Sequence, residues 1–227
     1  MPTRLLICTP VWIWRSFISV TAAKPALIDT IIRHGKPLVF LLGLVPLTIL
    51  VFEALGVAGM SLGANAIEEL LHRCGKWGLN FLMFTLMVTP LRRMTGWNGL
   101  IRWRRMLGLF AFFYICLHFT VYLVLDQTLD FEFILEDIAE RPYITLGFTA
   151  FLMLISLAIT STNKMMRRLG KRWIKLHRLV YVIATLGVIH FFWQVKTDEI
   201  EPLYYVTVLA FLLGYRIWYA RRRRQKS

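Results

Sequence analysis

The sequence predicts an all-α integral membrane bundle of six transmembrane helices, with the N- and C-termini in the cytoplasm. Apolar residues fill 57% of the 227 positions and the mean hydropathy is +0.59. Apolar runs close to the roughly 17–25 residues that span a bilayer recur along the chain, and basic and acidic segments alternate between them. The runs are continuously apolar rather than alternating, which favours helices over a barrel.

Six runs are predicted as spans, and together they define a transmembrane domain over 37–220. In chain order they cover 37–57, 72–89, 106–125, 143–159, 176–195 and 203–219. The tail 221–227 is basic and follows the last span. The preceding segment 1–36 contains an apolar run broken by Pro10 and Arg15. We interpret it as a cytoplasmic or interfacial segment, with a signal peptide or a seventh span as alternatives.

The charges between the spans predict the topology. Basic residues concentrate in 92–105, 164–175 and 221–226, whereas acidic residues concentrate in 68–69, 126–140 and 198–201. The positive-inside rule places the basic segments and both termini in the cytoplasm. Topology and contact with anionic lipid therefore account for the formal charge of +14, and no nucleic-acid partner is expected.

The three cysteines, Cys8, Cys74 and Cys116, have no paired spacing. This pattern supports neither a disulfide framework nor an iron–sulfur cluster, and no Cys-x-x-Cys-His motif for covalent haem attachment is present. No glycine-rich dinucleotide fingerprint occurs either. If NAD(P)H supplies electrons, another protein must bind it.

Two histidines, His118 and His190, lie deep inside separate apolar runs. An ionisable side chain in hydrocarbon is costly and marks a functional site by default. The third and fifth spans both start at the basic side, and at 1.5 Å per residue the two histidines lie about 18 Å and about 21 Å along them. Matched depth on parallel helices predicts a pair holding one flat ligand, and a haem with two axial histidines fits this description best. The alternative is a hydrogen bond between helices.

His177 lies near the basic end of the fifth span, about 20 Å below His190 along the axis. This separation leaves room for a second haem with His177 as a ligand. The intervening residues do not complete whole turns, so the two histidines need different azimuths or an irregular helix. Level with His177 on the third span is Arg104, a poor iron ligand. Arg104 could pair with a haem propionate or belong to the cytoplasmic arginine cluster.

His72 opens the second span on the acidic side. It could ligate the outer haem, contact a quinone, or cap an interfacial helix, and the sequence favours the cap. The candidate cofactor-binding residues are thus His118, His190, His177, Arg104 and His72, with the first three as metal ligands. None is expected to be catalytic.

These residues and their flanking motifs resemble the transmembrane domain shared by ferric reductases and NADPH oxidases. More specifically, the chain resembles the MsrQ family, the haem-binding membrane subunit of the bacterial periplasmic methionine sulfoxide reductase system. The resemblance covers about residues 36 to 220. The stretches that carry it are 102–109, 117–118, 141–147, 160–162, 169–173, 176–177 and 189–190. Arg104 stands where the broader domain has its first histidine, as in the MsrQ subfamily.

The resemblance implies one or two haems b between two parallel helices, and FMN as a further cofactor. It also implies a multi-pass protein of the bacterial inner membrane that transfers electrons without being catalytic itself. The donor would be the quinone pool or a cytosolic flavin reductase. The acceptor would be MsrP, a periplasmic molybdenum-containing reductase that repairs oxidised methionines in proteins. The acidic segment 126–140 is a candidate docking surface for MsrP, and topology alone also explains its charge.

Two other function classes are weighed against this one. A self-sufficient ferric or oxygen reductase of the NADPH-oxidase type usually carries a cytosolic FAD/NADPH domain, whereas only a short basic tail follows Tyr219. A non-redox transporter would be distinguished by a purified protein that is colourless and lacks a reducible Soret band.

Overall fold

The computed structural model describes residues 34–59, 61–194 and 200–225, and every regular element in these ranges is helical. The α-helices in the described part are α1 Lys36–Ala54, α2 Ala66–Thr95, α3 Ile101–Val121, α4 Phe131–Glu140, α5 Pro142–Ile159, α6 Asn163–Leu169, α7 Lys171–Leu176, α8 Leu179–Gln194 and α9 Glu201–Arg224. Of the predicted N-terminal segment, only 34–36 are described, so the interpretation of 1–36 lies outside the described residues.

Five stretches of the described chain are long and apolar enough to cross a membrane: Lys36–Ala54, Asn98–Asp126, Pro142–Ile159, Lys171–Gln194 and Glu201–Arg222. They correspond to the first and the last four predicted spans, and they make this a multi-pass membrane protein. The predicted second span, 72–89, lies inside α2. The 30 residues of α2 give about 45 Å of helix, but α2 is not among the sufficiently apolar stretches. The prediction of six spans is therefore confirmed for five.

The position of α2 inside the bundle explains its polar character. α2 packs against α1, α3, α8 and α9, and its buried residues include Leu86, which is fully buried. The polar Asn80 on this helix accepts a hydrogen bond from the hydroxyl of Tyr205 at 2.9 Å. A helix surrounded by protein presents little surface to lipid, so it tolerates polar residues that a lipid-facing helix would not.

Two helix pairs build the core. α2 packs most extensively against α3, and α5 against α8. Between α2 and α3 the chain turns at Gly96, which caps α2 with a positive φ of 74°, the left-handed conformation that glycine adopts at no steric cost. This short turn makes the two helices antiparallel neighbours. The core side chains at their contact include Phe81, Ala111 and Tyr114.

A buried tyrosine is inserted into the backbone of α1. The hydroxyl of Tyr114 donates to the carbonyl of Gly43 at 2.8 Å and accepts from the amide of Leu47 at 3.0 Å. These two backbone groups would bond to each other in an uninterrupted helix. The insertion lies next to Pro46 inside α1, where an interrupted hydrogen-bond ladder is expected. The Tyr114 ring also stacks on Phe81, so α1 is attached to the core pair.

The acidic segment 126–140 connects the third and fourth predicted spans, and most of it is helical. The structure has helix α4 there, because the Asp130 side chain accepts hydrogen bonds from the amides of Glu132 and Phe133 and so caps the helix start. Ile134 is buried, whereas Phe131 and Leu135 are exposed. α4 is too short to span a membrane and lies at the acidic end of the bundle, next to α5.

Candidate histidine site at the acidic end of the bundle

His118 on α3 and His190 on α8 come together inside the bundle. Their ring centroids are 6.2 Å apart and the ring planes are inclined by 78°. Metal–imidazole bonds are about 2.0–2.1 Å long in zinc proteins. Two bonds of roughly that length, together with the radii of two rings, would separate the centroids by about 6 Å. The spacing therefore fits one metal centre between the two imidazoles.

Both imidazoles are oriented by backbone carbonyls. Nδ1 of His118 lies 2.9 Å from the carbonyl oxygen of Leu71 on α2, and Nδ1 of His190 lies 2.7 Å from that of Tyr143 on α5. A carbonyl can only accept, so each Nδ1–H donates and each Nε2 keeps its lone pair. Metal-ligating histidines are generally held in this way through their second ring nitrogen. The hydrogen bond between helices uses only Nδ1 of each histidine. Nε2 of each ring is therefore still available to ligate a metal.

A glycine faces each of the two rings. A Cβ added at Gly75 would lie 3.0 Å from Nδ1 of His118, and a Cβ added at Gly147 would lie 2.9 Å from Nδ1 of His190. These distances are shorter than those of almost all real Cβ contacts. The rings therefore pack against the partner helices only because these positions lack a side chain.

The two halves of the site repeat one arrangement. Each histidine bonds a carbonyl 47 positions earlier in the chain, and each facing glycine comes one helical turn after that carbonyl. Every element of the first half recurs 72 positions later: Leu71 to Tyr143, Gly75 to Gly147, and His118 to His190. The pairs α2–α3 and α5–α8 thus contain the same arrangement. We call it the histidine cradle: a histidine, the carbonyl to which it donates and the glycine that faces its ring. The sequence reasoning above missed both glycines, although this 72-residue offset is readable in the sequence.

A cavity of about 380 Å³ adjoins the two histidines, within the range of small-molecule sites. Its deeper walls are mostly apolar side chains such as Leu79, Ile115, Phe151 and Ile183. Its mouth, at the acidic end, is lined by polar side chains: Asn65, Glu68, His72, Lys76, Asp126, Asp137, Arg141 and Gln194.

Two cations at this mouth are held by carboxylates. Lys76 forms an ion pair with Glu201 at 2.5 Å, and Arg141 forms one with Asp137 at 3.1 Å. Hydrogen bonding to Tyr143 and the nearby Asp137 carboxylate raise the pKa of Arg141, so this guanidinium remains charged.

His72 lines the same cavity. Its Nε2 lies 2.7 Å from Nε2 of Gln194, so the histidine nitrogen accepts from the amide N–H. The predicted role of His72 as a helix cap is wrong. α2 begins six residues earlier, and its N-cap is Asn65, whose side chain accepts from the amide of Glu68.

His177 lies away from this cavity, at the basic end. It occupies the interruption between α7, which ends at Leu176, and α8, which begins at Leu179. Of the two alternatives left open by the sequence, the fifth span therefore contains the helix irregularity. The His177 ring stacks on Trp173 with centroids 3.9 Å apart, and its Nδ1 lies 3.2 Å from the Trp173 carbonyl oxygen. Arg104 is close enough to interact with His177 electrostatically.

Comparison with known proteins places this arrangement in a family. Residues 74–188 match the family "Ferric reductase like transmembrane component". A relative from Herminiimonas arsenicoxydans, named "Protein-methionine-sulfoxide reductase heme-binding subunit MsrQ", is 51% identical over 195 residues, which is 85% of this chain and 88% of that protein. The chain belongs to the MsrQ family.

Other MsrQ relatives cover similar portions of the chain. A protein of the same name from Rhodospirillum rubrum is 50% identical over 196 residues, with 86% of this chain and 93% of the relative aligned. One from Xanthomonas campestris pv. campestris is 54% identical over 158 residues, covering 70% and 72%. The resemblance to MsrQ in the sequence analysis is thereby confirmed, as is the ferric-reductase-like transmembrane domain.

Proposed function

We propose that this chain is the haem-binding membrane subunit of a methionine sulfoxide reductase, as the names of its MsrQ relatives state for them. The observation that carries the proposal is the pair His118 and His190, whose rings are 6.2 Å apart with each Nδ1 bonded to a carbonyl. This leaves two Nε2 atoms that would hold the haem iron. Haem iron held by two imidazoles changes between ferric and ferrous states and so supplies one-electron transfer.

The donor set supports a porphyrin rather than a bare metal ion. Among the described residues, no group of three or more His, Cys, Asp or Glu could hold a metal by itself. Two imidazoles suffice when a porphyrin provides the other four nitrogens. Lys76 and Arg141 at the cavity mouth are the cations proposed to bind its carboxylates, because charge-assisted hydrogen bonds to carboxylates are strong. We propose His72 as a further polar contact there.

A second haem at the basic end is a separate proposal. His177 would be its ligand, with Arg104 pairing with a propionate rather than with the iron. The electrostatic proximity of these two side chains supports the idea. FMN also belongs to the proposal by family resemblance alone, and flavin fluorescence of extracted cofactor tests it.

The alternation of charge supports a direction for electron transfer. We propose that the basic end and both termini face the cytoplasm of a bacterium, in its inner membrane. The quinone pool or a cytosolic flavin reductase would donate electrons. His118 and His190 lie at the acidic end, so electrons would leave into the periplasm, to the molybdenum-containing reductase MsrP.

Spectra of purified variants test the ligand assignment. His118→Ala and His190→Ala should each lose a low-spin haem, because a single imidazole leaves the iron five-coordinate or the site empty. Redox-titrated absorption spectra and haem extraction per polypeptide measure this. His177→Ala is the matched comparison, since His177 lies outside the cavity, and it should leave the His118–His190 centre reducible by dithionite.

Two outcomes would contradict parts of the proposal. If both His118→Ala and His190→Ala keep the wild-type low-spin spectrum and full haem content, these histidines are not the ligands. A stoichiometry of one haem in the wild-type protein would eliminate the second haem at His177 and leave the first assignment intact.

A further inference from the structure

A half-buried arginine lies within the last membrane-spanning helix. Arg216 on α9 donates from Nη2 to the carbonyl oxygen of Leu86 at 2.8 Å, and from Nη1 to the hydroxyl of Tyr181. The Leu86 carbonyl is available because Pro90, one turn later on α2, has no N–H to donate to it. Arg216 therefore connects α9 to α2 and α8 through a backbone group that the proline leaves free.

These contacts do not neutralise the charge of Arg216. It takes part in none of the four ion pairs found among the described residues. Its Nε is buried without a hydrogen-bond partner, and so is Oγ1 of Thr89, which lies one turn from Leu86 on α2. In the described part of the chain these are the buried side-chain polar atoms that lack a partner. Such groups are costly unless something else binds them.

A second cavity, more open than the first, lies beside Arg216 at the basic end of the bundle. Three more arginines line it: Arg93, Arg178 and Arg224. The guanidinium of Arg93 lies over the ring of Tyr219, 3.9 Å from the centroid. No Asp or Glu is among the lining residues. Four guanidinium groups thus surround one space without a counter-ion from the described chain.

Topology accounts for the arginines at the helix ends but not for Arg216. Arg93 lies in the last turn of α2 and Arg224 at the end of α9, where the positive-inside rule expects them. Arg216 comes eight residues before the end of α9, which is about 12 Å deeper into the bundle. Intramembrane arginines are rare and functional by default. Beside it, Leu213 and Ile217 form an apolar wall.

We propose that this cavity binds a phosphate group, with Arg216 as one of the residues that hold it. The guanidinium fork matches phosphate oxygens in bidentate geometry, which an ammonium does not. The apolar wall of α9 would accommodate the hydrophobic part of the ligand. A membrane phospholipid head group and a soluble phosphate ester share this chemistry. The site is separate from the histidine cavity and does not depend on the proposed haem.

Binding by the full-length protein in uncharged detergent tests the proposal. One arm titrates phosphatidylglycerol against phosphatidylcholine and measures adducts by native mass spectrometry and the rise in unfolding temperature. The other arm titrates inorganic phosphate and glycerol 3-phosphate, alone and in competition with the lipid. We expect saturable binding of one anionic ligand, because a ligand that binds only the folded state stabilises it.

Variants at the cavity rim make the test specific. Arg93→Gln and Arg178→Gln should each weaken binding about tenfold, the effect of losing one charge-assisted hydrogen bond. Arg92→Gln and Arg221→Gln remove the same charge next to the cavity, but neither residue lines it, so they should bind as wild type. Arg216→Lys keeps the charge and loses the fork, and it should also bind more weakly.

Each outcome is informative. Saturable phosphatidylglycerol binding that phosphate does not displace identifies the lipid as the source, and displacement by glycerol 3-phosphate identifies a soluble ester. No saturable binding in either arm, or equal losses in the rim variants and the two controls, overturns the proposal. Haem content measured in the same samples reports separately on the histidine site, so failure of one assignment does not resemble failure of the other.

Discussion

The imidazoles of His118 and His190 each donate a hydrogen bond to one backbone carbonyl. Each ring also packs against a glycine, which has no side chain to block its approach. The carbonyls of Leu71 and Tyr143 select the tautomer, and the glycine that follows each carbonyl by one turn allows the ring to approach. The position of each imidazole therefore depends on residues that contribute no reactive side chain. A carbonyl acceptor is indifferent to side-chain identity, whereas the facing position must be glycine.

Gly147→Ala tests this requirement. Its Cβ would lie 2.9 Å from Nδ1 of His190, so the ring must shift from its carbonyl. Overpacking of this kind costs about 1–3 kcal/mol, which corresponds to roughly 5- to 150-fold weaker cofactor binding. Haem per polypeptide and the low-spin absorption of the purified variant measure the effect.

The chain provides a matched control for that substitution. A Cβ at Gly214, in the middle of α9, would meet no atom within 4 Å, so Gly214→Ala should keep full haem content. If Gly147→Ala binds haem as well as Gly214→Ala does, the close approach of glycine and imidazole has no functional importance.

At the scale of elements, α1 is attached to the bundle through its own backbone. The hydroxyl of Tyr114 replaces a helical hydrogen bond between Gly43 and Leu47 beside Pro46. Most side chains of α1 are exposed from the bundle, as expected for a helix that faces lipid. Tyr114 is therefore a polar connection in an otherwise apolar contact, and polar interhelical bonds of this type stabilise membrane bundles.

Tyr114→Phe should destabilise the protein without affecting the histidine site directly. The substitution removes the two hydrogen bonds that join Tyr114 to α1, at a cost of about 1–3 kcal/mol if each contributes about 0.5–1.5 kcal/mol. For a chain of this size each kcal/mol lowers the unfolding temperature by about 2–4 °C. Tyr204→Phe is the control, because that side chain is 64% exposed. Equal unfolding temperatures for the two variants in detergent would contradict the structural role of the hydroxyl.

In the proposed topology, α4 is the element best placed to meet a periplasmic partner. Its Asp137 is engaged with Arg141 and with Tyr122, whereas Glu132 and Glu136 lie on exposed positions. These two carboxylates, with the rest of the acidic end, would attract a partner of opposite charge from a distance.

Reversing the charge of Glu132 and Glu136 to Lys should slow electron transfer to MsrP at low salt. The wild-type rate should fall as salt rises, since exposed charges are screened over about 10 Å at 0.1 M. Stopped-flow oxidation of the reduced membrane protein by MsrP measures both effects. Reversal of Lys164, on α6 at the other end, should change nothing. A low-salt rate that does not respond to the reversal on α4 would exclude steering by this helix.

At the scale of the whole molecule, two antiparallel helix pairs carry the same cradle 72 positions apart. Because of this repetition, the imidazole from one helix pair faces the imidazole from the other pair. Two equivalent ligands facing one another suit a planar group with two equivalent faces. The site therefore forms only where the two helix pairs pack together, because each pair supplies one of the two histidines.

The proposed orientation of the bundle predicts the direction of electron transfer. Membranes that contain the haem-loaded protein, given reduced quinone or a flavin reductase with NADH, should reduce MsrP added on the periplasmic side. MsrP turnover with methionine sulfoxide measures this, and His190→Ala membranes provide the control. Failure to reduce MsrP with any cytosolic donor, combined with rapid reduction of ferric chelates, would make the protein a ferric reductase instead.

The sequence by itself determined the class of protein, because hydrophobicity, charge alternation and the depth of His118 and His190 are local properties that a linear reading detects. It also carried the family resemblance that the relatives confirm. It placed 72–89 among the apolar spans, although α2 is not among the sufficiently apolar stretches of the described chain, since whether a polar residue such as Asn80 is tolerated depends on what surrounds the helix. Only the packed helices supply that information.

Tertiary structure alone decided how the site is held. Leu71 and Tyr143 act through their carbonyls, and Gly75 and Gly147 through the space they leave, so none of the four has a side chain that signals a function. Likewise, nothing near Arg216 in the chain indicates that the Leu86 carbonyl, 130 positions away, is free because of Pro90. Backbone acceptors and close approaches depend on which helices meet, and that is settled only when the whole bundle packs.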